Sequence, residues 1–139
     1  MHILNSSIVN RLLKFGSVGI LGVVTNLTIY TTLIFLDLNY NLASSLAFVV
    51  AVSQNFMLNK RWTFKDHDRE IKNMFIKYFI LNFFSFFLNL LILNIVIYFF
   101  GTEKYIQIVA QLLGIAGAMV TNFTGSHIVV FGTVGEKKR

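Results

Sequence analysis

The sequence predicts an all-α membrane protein of four transmembrane helices, paired as two antiparallel hairpins, and three observations support that fold class. Of the 139 residues, 55% are hydrophobic and only 13% charged, with a mean hydropathy of +0.68, which is far from the balance of a soluble domain. The apolar residues collect in four runs, at about residues 15–36, 42–59, 74–100 and 105–131, each close to or above the roughly 20 residues that carry a helix across a bilayer core. No proline interrupts them, and none shows the strict alternation over about 10 residues that marks a strand of a membrane barrel. Helices are the expected form because hydrocarbon offers backbone amides no partner, so each must be satisfied within its own segment.

Taken in order, the first run is too long for the apolar part of a signal peptide. No small-x-small cleavage site follows it before Asp37, so it is expected to remain as the first span. A short turn at 37–41 leads to the second run, a polar connection at about 60–73 separates the hairpins, and a second short turn at 101–104 joins the third run to the fourth. The whole chain, 1–139, reads as one transmembrane domain.

The net charge of +6 follows the membrane and not a nucleic-acid groove. Arg11 and Lys14 precede the first span, Lys60, Arg61, Lys65, Arg69, Lys72 and Lys77 surround the middle connection, and Lys137, Lys138 and Arg139 close the chain. Eleven of the twelve basic residues therefore share one side, with Lys104 alone on the other. The positive-inside rule then places both termini and the middle loop in the cytoplasm of a multi-pass inner-membrane protein.

An offset of 67 pairs Ala43 with Ala110, Leu46 with Leu113, Ala51 with Ala118, Asn55 with Asn122, Phe56 with Phe123 and Phe64 with Phe131. An offset of 63 pairs Lys14 with Lys77 and Asn26 with Asn89. The hairpins thus read as a duplicated unit. Two crossings per unit make it a parallel repeat about an axis along the membrane normal.

Small residues recur every fourth position in the second span (Ala43, Ala47, Ala51, leading to Asn55 and Asn59) and in the fourth (Ala110, Gly114, Ala118, leading to Asn122 and Ser126). Such ridges let helix backbones approach in lipid, where packing drives association; Gly16, Gly19 and Gly22 suggest the same for the first span. The intramembrane asparagines Asn26, Asn55, Asn82, Asn89, Asn94 and Asn122 need partners. Interhelical hydrogen bonds and contact with a ligand both meet that need. Asn82, Ser85 and Asn89 share one helical face by spacing.

In the stretch from Gln54 to Phe64, a polar helix end meets Lys60, Arg61 and the aromatic anchors Trp62 and Phe64. Arg61 can hold phosphate oxygens in a fork while Lys60 adds a compact charge. Interfacial anchoring also uses basic residues and tryptophan at a helix end. The spans contain no carboxylate, as Asp37 and Glu103 fall in the turns, which disfavours a proton-driven exporter. Without cysteine there is no thiolate site. Asp66, His67, Asp68 and Glu70 read as balancing their basic neighbours in preference to binding metal, so no cofactor, no metal and no enzyme activity is expected.

These residues resemble the GtrA-like family of four-helix membrane proteins over most of the chain. The resemblance rests on the Arg11 to Tyr30 opening with Phe15, Gly16, Gly19 and Asn26, on the Asn55, Phe56, Asn59, Lys60, Arg61, Trp62, Thr63, Phe64 signature, and on a weaker echo at Asn122, Phe123, Ser126, His127 and Phe131. It implies flipping of a polyprenyl-phosphate-linked monosaccharide from the inner to the outer leaflet for cell-surface polysaccharide. On that basis Lys60 and Arg61 would hold the phosphate, Asn55, Asn59 and Asn122 would bind sugar hydroxyls or phosphate oxygens, and Asn26 and Asn89 would line the path. His127 stands where the family pattern is basic and Val129 where it is aromatic, so either the first copy alone binds phosphate or His127 contributes when protonated. A homo-oligomer is expected, since four helices leave little room for a sugar. A scaffold for a polyprenyl-phosphate glycosyltransferase is the alternative.

Overall fold

A computed structural model describes residues 6–63 and 69–136. They form four helices, α1 (Ser6–Phe35), α2 (Tyr40–Leu58), α3 (Arg69–Phe100) and α4 (Lys104–Glu136), and α2 runs on into one widened, π-type turn, Asn59–Thr63. The stretches Leu13–Phe35, Tyr40–Trp62, Phe79–Phe100 and Lys104–Asn122 are each long and apolar enough to cross a membrane, so the chain is a multi-pass helical membrane protein. Asp66, His67, Asp68 and the anchor Phe64 lie outside the described residues.

Local chemistry ends each helix. At the end of α1, Asp37 adopts a left-handed φ of 60°, its N–H donates to Ile34 O and the Leu38 N–H to Leu33 O, both at 3.0 Å. This is the Schellman arrangement, in which two otherwise orphaned carbonyls are used, and aspartate is among the few side chains that tolerate the conformation. Asn39 then starts α2, its Oδ1 accepting from the N–H groups of Asn41 at 2.9 Å and Leu42 at 3.3 Å. Gly101, at φ 104°, ends α3. The two turns meet, as Lys104 Nζ lies 2.9 Å from Asp37 Oδ1 and over the Phe35 ring.

The hairpin pairs α1–α2 and α3–α4 pack most closely, and α1 meets α4 and α2 meets α3 more sparingly. Buried positions on α1 are Val18, Gly22, Asn26, Tyr30 and Ile34, and on α2 Ala43, Ser44, Ala47 and Ala51. The α1 set and the three alanines recur every fourth residue and so fall on one narrow face, with Ser44 beside it. At the end near the short turns, Tyr30, Ile34, Ala43, Ala47, Leu93, Ile97 and Ala110 form the apolar core. Elsewhere the usual inside-out order is reversed: Asn26, Ser44, Asn82, Ser85, Asn89 and Gln111 are buried, whereas Leu13, Ile20, Phe84 and Val120 are at least 65% exposed. That order suits a protein whose surrounding solvent is lipid.

The glycines divide sharply. A Cβ on Gly114 would collide with Asn89 Oδ1 and lie 2.9 Å from the Asn89 backbone oxygen, and one on Gly22 would collide with the Asn55 amide. Gly16 and Gly19 would meet nothing within 4 Å, so the packing role suggested for all three α1 glycines belongs to Gly22. Gly114→Ala is accordingly expected to force α3 from α4 and lower stability by about 1–3 kcal/mol. Gly16→Ala and Gly19→Ala should leave it unchanged, as thermal unfolding in detergent would show.

Candidate functional site

The polar side chains fall into two groups. At mid-bundle, Asn89 Nδ2 donates to Ser44 Oγ at 3.0 Å, Ser44 Oγ to Gln111 Oε1 at 3.0 Å, and Gln111 Nε2 to Asn26 Oδ1 at 2.9 Å. This one-directional chain touches α3, α2, α4 and α1 in turn, and none of its members is more than 7% exposed. Two further ties join helices in pairs. Asn41 and Asn94 exchange amide bonds at 3.2 and 2.8 Å between α2 and α3. Between α3 and α4, Asn122 Oδ1 accepts from Ser85 Oγ at 2.7 Å while its Nδ2 donates to Asn82 Oδ1 at 3.3 Å.

The second group lies at the opposite end from the Asp37 and Gly101 turns, where α1 meets α2. Thr25 Oγ1 donates to Gln54 Oε1 at 3.0 Å, and Asn55 rests against Gly22. Asn59 is buried and caps α2 at the entrance to the widened turn. Beyond it, Lys60 and Arg61 are exposed, and Lys14 Nζ sits 5.8 Å over the ring of Trp62, within the range of a cation–π contact. A π-type turn is rare in helices and frequent at functional positions; here it carries both cations. Gln54 Nε2 and Asn55 Oδ1 are buried without a hydrogen-bond partner among the described residues.

Of the residues singled out from sequence, Asn55, Asn59, Lys60, Arg61 and Trp62 therefore share one helix end. Asn26 and Asn89 are drawn together into the mid-bundle chain, and Asn122 belongs to the α3–α4 hairpin, with no hydrogen bond to Asn55. His127 is on α4, with its side chain outside the described residues. Sequence reasoning passed over Ser44, Gln111 and Thr25, and named Gln54 only as the start of the polar helix end. Gln111 had a usable signal, being a lone amide between Val109 and Ile115 in an apolar run, where it must find a partner. Ser44 stands at the same offset of 67 from it.

Fold and site together define a multi-pass helical membrane protein with a polar junction at its centre and a cationic, amide-bearing helix end. A family profile described as GtrA/DPMS, transmembrane domain, matches residues 14–131, and the chain belongs to that family. Membership is consistent with a membrane protein of polyprenyl-phosphate sugar processes. Neither a curated protein nor a solved structure matches it.

Gln111→Leu removes two junction bonds and strands Ser44 and Asn26. Since interhelical bonds in membranes contribute about 0.6 to 2 kcal/mol each, a loss of about 1–4 kcal/mol is expected. Asn122→Ala is expected to cost a similar amount. Asn55→Ala breaks no side-chain hydrogen bond among the described residues and should unfold at the wild-type denaturant midpoint in mixed micelles.

Proposed function

We propose that the protein flips a polyprenyl-phosphate-linked monosaccharide from the inner to the outer leaflet of the cell membrane, gripping the lipid phosphate with Lys60 and Arg61 at the cytoplasmic end of α2. The observation that carries this reading is the placement, on one helix end, of two exposed cations and a buried carboxamide oxygen, Asn55 Oδ1, that has no hydrogen-bond partner among the described residues. A phosphodiester supplies oxygens for a guanidinium fork and an ammonium, and the attached sugar supplies hydroxyls for amides. Cations and anchors at this end, set against the Asp37–Lys104 pair at the other, support an orientation with both termini in the cytoplasm.

In this reading the hairpins are copies of one unit. Ser44 and Gln111, counterparts at an offset of 67, bond to each other, and the Gln111–Asn26 bond has its counterpart in the Ser44–Asn89 bond. That pattern supports a two-fold axis through the junction. Asn26 and Asn89 then hold the bundle at the axis, and headgroup contact falls to Asn55, Asn59, Lys60 and Arg61. The chemistry is carriage across the membrane without bond making or breaking, and a homo-oligomer would widen the path for the sugar.

A second reading, a membrane scaffold for a polyprenyl-phosphate glycosyltransferase, is favoured by the commitment of Asn26, Asn89 and Asn122 to interhelical bonds. Leaflet-resolved transport in proteoliposomes separates the two. A carrier accelerates crossing of labelled polyprenyl-phosphate sugar, and Arg61→Ala, Lys60→Ala and Asn55→Ala each slow it by about tenfold or more, the scale of one charge-assisted hydrogen bond. No acceleration by the wild type, or equal acceleration by all variants, rules the carrier out; co-purification with the transferase would then favour the scaffold.

A further inference from the structure

Resting on the flippase reading, we infer that Gln54 and Asn55 form a hydroxyl-binding subsite for the sugar, open in the first hairpin and closed in the second. Gln54 Nε2 is an unused donor and Asn55 Oδ1 an unused acceptor. A hydroxyl both donates and accepts, so one sugar hydroxyl complements the pair. Both side chains face α1 within a single turn, Gln54 at Thr25 and Asn55 at Gly22. A third buried oxygen, Asn89 Oδ1, also lacks a partner, but it is enclosed against Gly114 in a residue only 3% exposed. Gln54 and Asn55 are part-exposed residues whose open atoms are themselves covered, so a turn of the side chain toward its exposed side brings each atom to a ligand.

The second hairpin shows what a closed version looks like. Asn122, the counterpart of Asn55, is bonded by Ser85 and Asn82; at an offset of 63 those positions in α1 are Gly22 and Gly19, which offer no side-chain partner. Thr121, the counterpart of Gln54, donates to Gly117 O at 3.1 Å. At these two positions the second hairpin uses its polar groups internally while the first leaves atoms for a ligand, so each chain carries one headgroup. Gln54 and Asn55 lie on the membrane side of Lys60 and Arg61. A phosphate on the cations with its sugar on the amides points the headgroup into the span, opposite to its direction in a free leaflet and as crossing requires.

The test is equilibrium binding to protein in nanodiscs, with polyprenyl phosphate and its glucosyl, mannosyl and galactosyl esters as probes. Wild type is expected to bind at least one ester about tenfold more tightly than the bare lipid, one hydrogen-bonded hydroxyl's worth. Gln54→Leu should abolish that preference while bare-lipid binding and melting temperature hold or rise, because it removes an orphaned buried amide and Thr25 can turn to its i−4 carbonyl as Thr28 and Thr32 do. Asn55→Ala, which removes the open acceptor without adding bulk at Gly22, is the second variant and should also abolish the preference. Asn122→Leu should lower the melting temperature and keep the preference. Absence of any preference in the wild type, or its survival in both Gln54→Leu and Asn55→Ala, overturns the subsite. Bare-lipid binding that is indifferent to Lys60→Ala and Arg61→Ala overturns instead the phosphate grip beneath it.

Discussion

A carboxamide in hydrocarbon must be hydrogen-bonded or carry the cost of its lost hydration, and that constraint organises this bundle. Its strongest expression is the Asn89, Ser44, Gln111, Asn26 chain, which passes through all four helices with every donor pointing the same way. Hydrogen bonds aligned in a low dielectric polarise one another, so such a chain is stiffer than its separate links. Apolar contact alone gives little reason for helices to leave lipid for each other. The junction supplies that reason, and it also sets the depth at which the four helices are in register.

The remaining packing is arranged around the junction. Toward the short turns, Tyr30, Ile34, Leu93 and Ile97 close over Ala43, Ala47 and Ala110, and the Tyr30 hydroxyl donates to Gln107 O at 3.1 Å. That end is further tied by Asn41 and Asn94 and by the Asp37–Lys104 contact. The other end is held differently. Ser85, Asn82 and Asn122 bind α3 to α4, while α1 and α2 touch through Thr25 and Gln54 and through the close approach at Gly22. Glycine there allows contact between the two helices without supplying a partner for Asn55.

The division between bonded and open amides gives function a place within the GtrA/DPMS family fold. Amide atoms already bonded between helices gain little by touching a ligand, whereas an open buried amide atom gains a full hydrogen bond when one arrives. Gln54 and Asn55 are open next to the widened turn that carries Lys60 and Arg61. The same helix end thus combines two exposed cations with buried polar atoms that have no hydrogen-bond partner among the described residues.

By itself the sequence determined that this chain spans a membrane as four helices, because length and apolarity of a run are properties of residues and not of their neighbours. Residues such as Asn55, Lys60, Arg61 and Trp62 were legible as one cluster because they lie within three turns of one helix, where spacing along the chain is spacing in space. What the asparagines do was decided only by the tertiary structure. Asn26 and Asn89 are 63 positions apart and meet through Ser44 and Gln111, partners on two other helices that local spacing does not reach. Gly16, Gly19 and Gly22 look alike in sequence, yet only Gly22 faces a helix closely enough for a Cβ to collide. Asn55 and Asn122, both asparagines followed by phenylalanine, differ in the structure because one faces Gly22 and the other Ser85, and the satisfaction of a buried amide depends on the group across from it.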